Sequence, residues 1–202
     1  MRIVRRSSFT TTRWKNGGGI AHEAIRVPAD ASAHRWRLSV AEIAASGPFS
    51  DFSGYHRVMV LLAGAGLRLT FANDGAALLE RVGDLAEFDG GIATECELMA
   101  GSCTDLNLMT AQSITDVDAH VARLVHPLEL ERRTGETLVI FCVMGAAAVE
   151  GDADGPAGAT ERAVLGQWDL VVQDGAARSC IVRSLADGRG EAAVFVAKFT
   201  DV

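Results

Sequence analysis

Two arginines in the N-terminal third of the chain are candidates for binding a carboxylate. A guanidinium donates two parallel N–H bonds to a carboxylate, so Arg37 and Arg57 together could hold a small dicarboxylate. The side chains that could orient such a ligand are Asn16, Ser39, Ser50 and Asn107. A second interpretation stays open at this point, in which the first arginine faces solvent and the second pairs with Asp51 or Asp105.

A run of three glycines precedes these arginines, and aromatic residues surround it. Three consecutive glycines cost backbone entropy and are kept where the chain turns sharply or approaches another group closely. The candidate wall of a pocket comprises Gly17, Gly18 and Gly19 together with Trp14, Trp36, Phe49 and Phe52. Aromatic rings at the mouth would exclude water and strengthen the polar contacts inside. A β-bulge at the glycines and ordinary core packing of the rings are the alternatives.

The spacing of the residues supports neither metal binding nor nucleophilic catalysis. None of the five histidines, at positions 22, 34, 56, 120 and 126, is two residues from another. The serines lack a Gly-x-Ser-x-Gly motif, and the glycine run lacks the Gly-Lys-Ser/Thr ending of a phosphate-binding loop. We therefore predict no metal and no other cofactor. A metal-free enzyme stays open, with Glu23 or Asp105 as general base and Arg37 stabilising a developing negative charge.

The composition predicts a globular cytoplasmic protein. A chain of 202 residues with 49% hydrophobic content can bury the core of one large domain or of two small ones. Its longest apolar run is shorter than the roughly 20 residues that span a bilayer. The basic N-terminus has no apolar stretch behind it, so we expect no export signal. The four cysteines are scattered without Cys-x-x-Cys spacing, which predicts buried thiols.

The net charge of −7 is distributed unevenly along the chain. Residues 1–57 hold nine Lys or Arg against four Asp or Glu, whereas residues 58–202 hold ten against twenty-two. The overall sign disfavours nucleic acid and anionic membranes as partners, because both would repel the chain at long range. The basic segment is either neutralised by the acidic remainder or forms a local site for a small anion, and the sequence leaves both open. A homodimer stays open as well.

Short β-branched and aliphatic runs bounded by turn residues recur along the chain, and no long helical periodicity interrupts them. This pattern predicts an all-β sandwich or barrel. Residues 60–64 resemble residues 141–145, and residues 83–85 resemble residues 168–170, at offsets of 81 and 85. These nearly constant offsets indicate a duplicated β unit, with domains at residues 1–115 and 116–202.

The two copies differ on one strand. In the first copy, Asp105, Asn107 and Met109 alternate with leucines, so they share one face. The corresponding strand of the second copy, residues 193–197, has no polar residue. If the polar face points inward, its groups need partners, and a ligand is a natural one. We therefore predict the pocket in the first copy and a structural role for the second.

The motifs taken together resemble the HutD/Ves family. They are Trp14 to Gly19 with Glu23, Trp36 to Ser39 with Ala41, Gly47 to Ser50 with Phe52, Gly54 and Arg57, and Asp105 to Met109. The order and spacing match from about Trp14 to Met109, and more weakly beyond. The resemblance implies a duplicated cupin-type β-barrel in a single chain, a link to histidine utilisation and no well-defined catalytic activity. Ile20 and Ala21 stand where a Thr pair is expected.

We therefore expect a non-catalytic bicupin that binds a small anionic intermediate of histidine breakdown, such as an N-substituted glutamate or urocanate, and modulates the pathway. The expected ligand-binding residues are Trp14, Asn16, Gly17, Gly18, Gly19, Trp36, Arg37, Ser39, Phe49, Ser50, Arg57 and Asn107. A metal-free isomerase or hydrolase is the first alternative. A protein–protein scaffold that docks through the acidic second copy is the other.

Overall fold

The described part of the chain is built from β-strands. The computed structural model describes residues 1–14, 19–30, 33–152, 160–176, 178–185 and 191–200, and within these ranges the only helical element is a 3₁₀ turn at Arg6–Ser8. The first eleven strands are β1 (Arg2–Val4), β2 (Thr10–Arg13), β3 (Gly19–Val27), β4 (Trp36–Ile43), β5 (Gly47–Pro48), β6 (Tyr55–Ala63), β7 (Leu67–Phe71), β8 (Ala76–Leu79), β9 (Leu85–Asp89), β10 (Thr94–Leu98) and β11 (Cys103–Ala111). The others are β12 (Thr115–Arg123), β13 (Leu128–Arg132), β14 (Glu136–Met144), β15 (Ala147–Asp152), β16 (Thr160–Leu165), β17 (Leu170–Gln173), β18 (Arg178–Ser184) and β19 (Ala193–Thr200).

The chain divides into two compact units. The N-terminal unit comprises Ser8–Ser113, and the C-terminal unit comprises Met1–Ser7 with Ile114–Val202. The sheets of the N-terminal unit have the strand orders β2-β3-β4-β11-β6-β9 and β5-β10-β7-β8. Those of the C-terminal unit have the orders β1-β17-β14-β19-β12 and β13-β18-β15-β16.

The two units repeat one strand order, which agrees with the motif pairs in the sequence. The order β4-β11-β6-β9 corresponds to β12-β19-β14-β17, and β5-β10-β7-β8 corresponds to β13-β18-β15-β16. The N-terminal unit adds β2 and β3 beside β4, whereas the C-terminal unit adds β1 beside β17. In the described residues the strand pairing leaves every sheet open, so closure of each unit into a barrel stays a prediction.

The paired motifs also form the same turn in both units. Two backbone hydrogen bonds hold each turn against the preceding long strand. In the N-terminal unit the Gly83 N–H donates to the Leu61 carbonyl at 2.9 Å, and the Leu61 N–H donates to the Asp84 carbonyl at 3.0 Å. In the C-terminal unit the Trp168 N–H donates to the Cys142 carbonyl at 2.7 Å, and the Cys142 N–H donates to the Asp169 carbonyl at 2.9 Å. Gly83 and Trp168 both have a positive φ, of 96° and 71°. The recurrence seen in the sequence therefore reflects one local structure used twice.

The first strand joins the C-terminal unit, although the sequence analysis assigned it to residues 1–115. β1 pairs with β17, with Ile3 opposite Val171. The residues after it are anchored to the same unit, because the Arg5 guanidinium lies 2.8 Å from an Asp169 carboxylate oxygen and the Arg6 guanidinium stacks 4.2 Å from the Trp168 ring centre. Such a pairing between distant parts of the chain leaves no local signal in the sequence.

Apolar residues from both sheets form the core of each unit. In the N-terminal unit Met59 and Leu61 of β6 pack with residues of β7 and β10. In the C-terminal unit Ile140 and Cys142 of the corresponding strand β14 pack with residues of β15 and β18. All four cysteines are buried free thiols. Among the described residues no helix is long and apolar enough to cross a membrane.

Two glycines at equivalent turns have no room for a side chain. Gly64 has a φ of 111°, and a Cβ there would lie 2.6 Å from the Cys103 sulfur. Gly145, its counterpart 81 residues later, has a φ of 74°, and a Cβ there would lie 2.8 Å from the Glu191 carbonyl oxygen. Both positions therefore combine a left-handed backbone with a close approach of another segment.

We predict that Gly64→Ala and Gly145→Ala each lower the free energy of unfolding by about 3 kcal/mol, because both the backbone and the new methyl group are strained. Gly101→Ala is the control, since its φ is 66° and nothing lies within 4 Å of the added Cβ. Gly101→Ala should lower the free energy of unfolding by only about 1 kcal/mol, which is the cost of a left-handed backbone for a residue with a Cβ. Urea denaturation measures all three, and equal losses would show that the close approaches do not matter.

Candidate functional site

A cavity of about 380 Å³ lies within the N-terminal unit. Strands β2, β3, β4, β6 and β11 of the six-stranded sheet supply most of its lining, and the remainder comes from Trp14, just after β2, and from the segment after β5. The lining residues are Thr12, Arg13, Trp14, Ala21, Glu23, Arg26, Arg37, Ser39, Ala41, Phe49, Ser50, Phe52, Arg57, Asp105 and Asn107.

The register of the sheet places the polar residues in successive rows across β4, β11 and β6. In one row Met109 of β11 lies opposite Arg37 and Arg57, so the two guanidinium groups come from the strands on either side of it. The next row pairs Asn107 with Ser39, and the row after that pairs Asp105 with Ala41. The face of β4 with Arg37 and Ser39 and the face of β11 with Asp105 and Asn107 are therefore on the same side of the folded sheet, as the alternation of side chains predicts.

A bulge in β3 adds an arginine to the cavity that alternation does not predict. Glu23 lies opposite Ser39, and the register then shifts between Glu23 and Ile25, so that Arg26 lies opposite Arg37. An inserted residue reverses which side chains face inward beyond it. Arg26 therefore shares the cavity with Glu23, although their positions differ by three and regular alternation would put them on opposite faces.

Glu23 is bound by the arginine that the bulge brings in. The Arg26 Nε donates to both Glu23 carboxylate oxygens at 3.1 Å, and its Nη2 donates to one of them at 2.8 Å. An Arg37 nitrogen lies 3.9 Å from the same carboxylate. The hydrogen bonds from Arg26 are the main cause that lowers the pKa of Glu23. This carboxylate is consequently a poor general base.

Arg37 uses only part of its hydrogen-bonding capacity. Its Nη2 contacts the Met109 sulfur at 3.2 Å, and its guanidinium carbon lies 5.3 Å from the centre of the Phe52 ring. Its buried Nε has no hydrogen-bond partner in the described part of the chain. Burial lowers the pKa of Arg37, but a guanidinium stays charged at neutral pH. Arg37 therefore lines the cavity and has a buried donor without a partner among the described residues.

Arg57 is the most deeply buried cation of the site. Only 4% of its surface is exposed, and three aromatic ring centres lie near its guanidinium carbon, those of Phe49 at 5.2 Å, Phe52 at 5.3 Å and Phe88 at 4.9 Å. Burial lowers the pKa of Arg57 to about 10, against the opposing effect of the Asp105 carboxylate. Its Nε donates to no described residue. The group is a buried cation with an unused donor.

Two acceptors on β11 are also left without partners. Asp105 is 1% exposed and Asn107 is 8% exposed. In the ranges that the structure describes, nothing donates to the Asp105 Oδ2 or the Asn107 Oδ1. Burial raises the pKa of Asp105 to about 7, and the charge of Arg57 opposes that shift. Near neutral pH this carboxyl group therefore exists in both protonation states.

The structure brings seven of the twelve predicted ligand-binding residues to the cavity, and they are Trp14, Arg37, Ser39, Phe49, Ser50, Arg57 and Asn107. Asn16, Gly17 and Gly18 lie outside the described residues. Trp36 is buried on the opposite face of β4, together with Leu38, because successive side chains of a strand alternate. Gly19 does not line the cavity; it packs under the Trp14 ring, where a Cβ would lie 3.1 Å from the indole.

The lining residues that the sequence did not predict are Thr12, Arg13 and Arg26. The first two lie on β2, and the β-branched run Thr10–Thr12 is the signal that could have predicted that strand. Ala21 occupies a lining position at the place where the resemblance led us to expect a Thr. Among the described residues no group of three His, Cys, Asp or Glu is placed to hold a metal ion.

The lining has an excess of positive charge. It contains four arginines, which is four of the nine basic residues in residues 1–57, against the two carboxyl groups of Glu23 and Asp105. One carboxylate is already paired with Arg26, and the other is partly protonated at neutral pH. The uneven charge of the sequence therefore reflects, for these four residues, a basic lining of the cavity.

We predict that Asp105→Asn becomes progressively more stable than the wild type as the pH rises. The folded pKa of Asp105 lies above its ordinary value of 3.8, so wild-type unfolding releases a proton and becomes easier between about pH 4 and 7. The difference in unfolding free energy between variant and wild type should grow by up to about 4 kcal/mol across this window. Urea denaturation at both ends of the window tests it. The exposed Glu97→Gln is the control, and a pH-independent difference for Asp105→Asn would contradict the prediction.

Relatives found by sequence comparison match somewhat more than half of the chain. The chain is 35% identical over 112 residues to an uncharacterized 21.2 kDa protein in the hutC 3′ region of Pseudomonas putida, a match covering 55% of this chain and 58% of that protein. It is 34% identical over 110 residues to Protein Ves of Citrobacter koseri, covering 54% of this chain and 57% of that one. The chain thus matches somewhat more than half the length of these relatives.

Solved structures match almost the whole chain. A conserved protein of unknown function from Pseudomonas aeruginosa PAO1 superposes with a TM-score of 0.86 at 26% identity, covering 99% of this chain and 98% of that one. HutD from Pseudomonas fluorescens SBW25, in a formate condition, superposes with a TM-score of 0.75 at 26% identity, covering 97% of each. An oxalate decarboxylase from Lactobacillus farciminis matches at 11% identity with a TM-score of 0.70, covering 98% of this chain and 86% of that one, which shows a cupin-like fold alone.

The family model of HutD matches residues 6–193, which cover the N-terminal unit and most of the C-terminal unit. This match, the similarity to Protein Ves and the superposition on HutD confirm the resemblance carried by the N-terminal motifs. The chain belongs to the HutD family.

Proposed function

We propose that this protein binds a small anionic intermediate of histidine degradation in the cavity of its N-terminal unit without converting it, and thereby modulates histidine utilisation. The observation that carries the proposal is the buried guanidinium of Arg57, which lines a cavity and has an Nε without a partner among the described residues. Burying a charge costs free energy unless a counter-charge and hydrogen bonds compensate it. A carboxylate in the cavity would supply both.

A second guanidinium strengthens the case for a ligand with carboxylate groups. Arg37 and Arg57 flank Met109 in the same row of the sheet, and each has a buried Nε left over. Charge-assisted bonds from two guanidinium groups are stronger than those between neutral groups, and more so where water is excluded. A dicarboxylate, or a carboxylate with a second acceptor, fits this pair of donors.

The shape and remaining polar groups fit a small metabolite rather than a chain molecule. The volume of about 380 Å³ lies at the lower end of the range of small-molecule pockets. The lining combines the apolar rings of Trp14, Phe49 and Phe52 with the amide of Asn107 and the hydroxyls of Ser39 and Ser50. An N-substituted glutamate offers two carboxylates and urocanate offers one, and each also has an N–H group for the unpartnered acceptors on β11.

The histidine-utilisation part of the proposal rests on the family of the chain. The HutD name and a relative from a hutC 3′ region support a link to histidine utilisation. We propose two cupin-type barrels in one chain, on the repeated strand order, and a cytoplasmic location, which the four free thiols favour. A small anion is then the partner, and neither nucleic acid nor a membrane takes part. Whether two copies associate has no bearing on this cavity, which the N-terminal unit forms by itself.

We predict that isothermal titration calorimetry detects binding of N-formyl-L-glutamate, an N-substituted glutamate with the smallest acyl group, or of urocanate. Arg57→Gln and Arg37→Gln should each weaken that binding by roughly 10- to 100-fold, the loss expected for hydrogen bonds between charged groups. Arg68→Gln is the matched control, because Arg68 is an exposed arginine on β7 outside the cavity. It should leave the affinity unchanged.

Two results would contradict the proposal. Heats that equal those of buffer for both compounds would show that these intermediates do not bind. Full affinity in both cavity variants, measured on proteins whose thermal unfolding is cooperative, would place any binding outside this cavity.

One observation favours a second candidate function, that of a metal-free enzyme. Asp105 lines the cavity, and burial raises its pKa to about 7, where a carboxylate works well as a general base at neutral pH. Arg37 or Arg57 would stabilise the negative charge that develops on the substrate. Of the two bases that the sequence suggests, Glu23 is disfavoured, because three hydrogen-bond contacts from Arg26 hold it as a carboxylate.

Turnover distinguishes the two candidates. If the protein is an enzyme, incubation with either intermediate should give a product detectable by mass spectrometry or, for an isomer, by NMR, and Asp105→Asn should lose at least 100-fold in rate, the scale of general-base catalysis. Glu23→Gln tests the less favoured base. The binding proposal predicts no product from the wild-type protein after many binding lifetimes.

A further inference from the structure

We infer that Asp105 couples anion binding in the N-terminal cavity to the uptake of a proton, so that the cavity takes in an anion and a proton together. This inference rests on the proposed function, since it concerns how the same cavity responds to its ligand. The mechanism requires only a carboxyl group that is held beside the bound charge and kept from water.

The position of Asp105 meets that requirement. Its side chain is 1% exposed, lines the cavity, and leaves Oδ2 buried without a hydrogen-bond partner among the described residues. Its neighbours in the register are Ala41 and Leu61, which have no polar side-chain groups. Water and the side chains directly opposite Asp105 in the sheet therefore do little to stabilise the carboxylate form.

The charged and titratable groups around Asp105 come from four other strands. Arg57 on β6 favours the carboxylate, and Cys96 on β10 contributes no charge, because burial raises the pKa of this thiol to about 12. Arg37 on β4 and the Glu23–Arg26 pair on β3 complete the charged lining on that side. Arg57 is thus the main group that opposes protonation of Asp105.

A bound anion removes that opposition. A ligand carboxylate on Arg57 neutralises the charge that favours the Asp105 carboxylate, and it adds a like charge to the same cavity. It also displaces water, which further disfavours the ionised carboxyl group. All three effects favour the acid form, so one proton passes from the solvent to Asp105. The neutral carboxyl then has an O–H that can donate to an oxygen of the ligand.

Linkage converts this into a pH dependence of affinity. Burial raises the pKa of Asp105 to about 7 before an anion binds. Below that pH the carboxyl is already protonated, and affinity should be nearly constant. Above it, each binding event must take up a proton, so the dissociation constant should rise by about tenfold per pH unit until the pKa of the bound state is reached.

Calorimetry in two buffers tests the inference directly. N-formyl-L-glutamate is titrated at pH 7.5 in Tris and in triethanolamine, two cationic buffers that differ in ionisation enthalpy. The difference in heat between the buffers gives the number of protons taken up. The expected value for the wild type is about 0.5 to 1 proton per ligand bound.

Variants assign the proton to its site. Asp105→Asn should bind with no difference between buffers and with a flat pH profile from 6 to 9. Glu97→Gln, an exposed carboxylate on β10 outside the cavity, is the control and should keep the wild-type uptake. Uptake that persists in Asp105→Asn would overturn the inference, because another group would then carry the proton.

The failure of the inference and the failure of the proposed function give different results. Binding to the wild type with equal heats in both buffers would overturn the proton coupling and leave the binding function intact. The absence of binding at any pH from 6 to 9 would overturn both. Because the wild-type measurement alone decides between these results, the test does not depend on the folding of a variant.

Discussion

The N-terminal unit depends on how a buried cation is compensated. Removing a guanidinium from water costs several kcal/mol unless charge and hydrogen bonds replace the lost hydration. Three aromatic rings and the Asp105 carboxyl group surround Arg57 and offset part of that cost, while its Nε is left without a partner among the described residues. The rest of the site follows from this constraint, because the cavity provides the place where the missing partner can bind.

The repeated strand order shows what the two units share and where they differ. The corresponding strands β11 and β19 hold the same place between their neighbours. β11 carries Asp105 and Asn107 on its cavity face, whereas residues 193–197 of β19 are all apolar and buried. The same backbone framework therefore supports a polar cavity in one unit and a packed hydrocarbon core in the other.

Electrostatics inside the cavity differ from those of the whole chain. The protein has a net charge of −7, but the cavity has four arginines and two carboxyl groups. Hydrogen bonding to Arg26 holds the Glu23 carboxylate in its charged form, and burial raises the pKa of Asp105 toward neutrality. The pKa values of the two carboxyl groups in the cavity are thus shifted in opposite directions, because Glu23 is hydrogen-bonded to a cation and Asp105 is buried without such a bond.

The amino-acid sequence by itself determined the β class, the internal repeat and the common face of Arg37 and Ser39, because alternation and turn chemistry are local properties of the chain. Its motifs were also sufficient to indicate the HutD family. Only the tertiary structure decided that the bulge in β3 adds Arg26, that Trp36 packs away from the cavity, and that β1 completes the other unit. These features depend on which strands pair and which side chains lose contact with water. Distant segments set both, so no local pattern in the sequence records them.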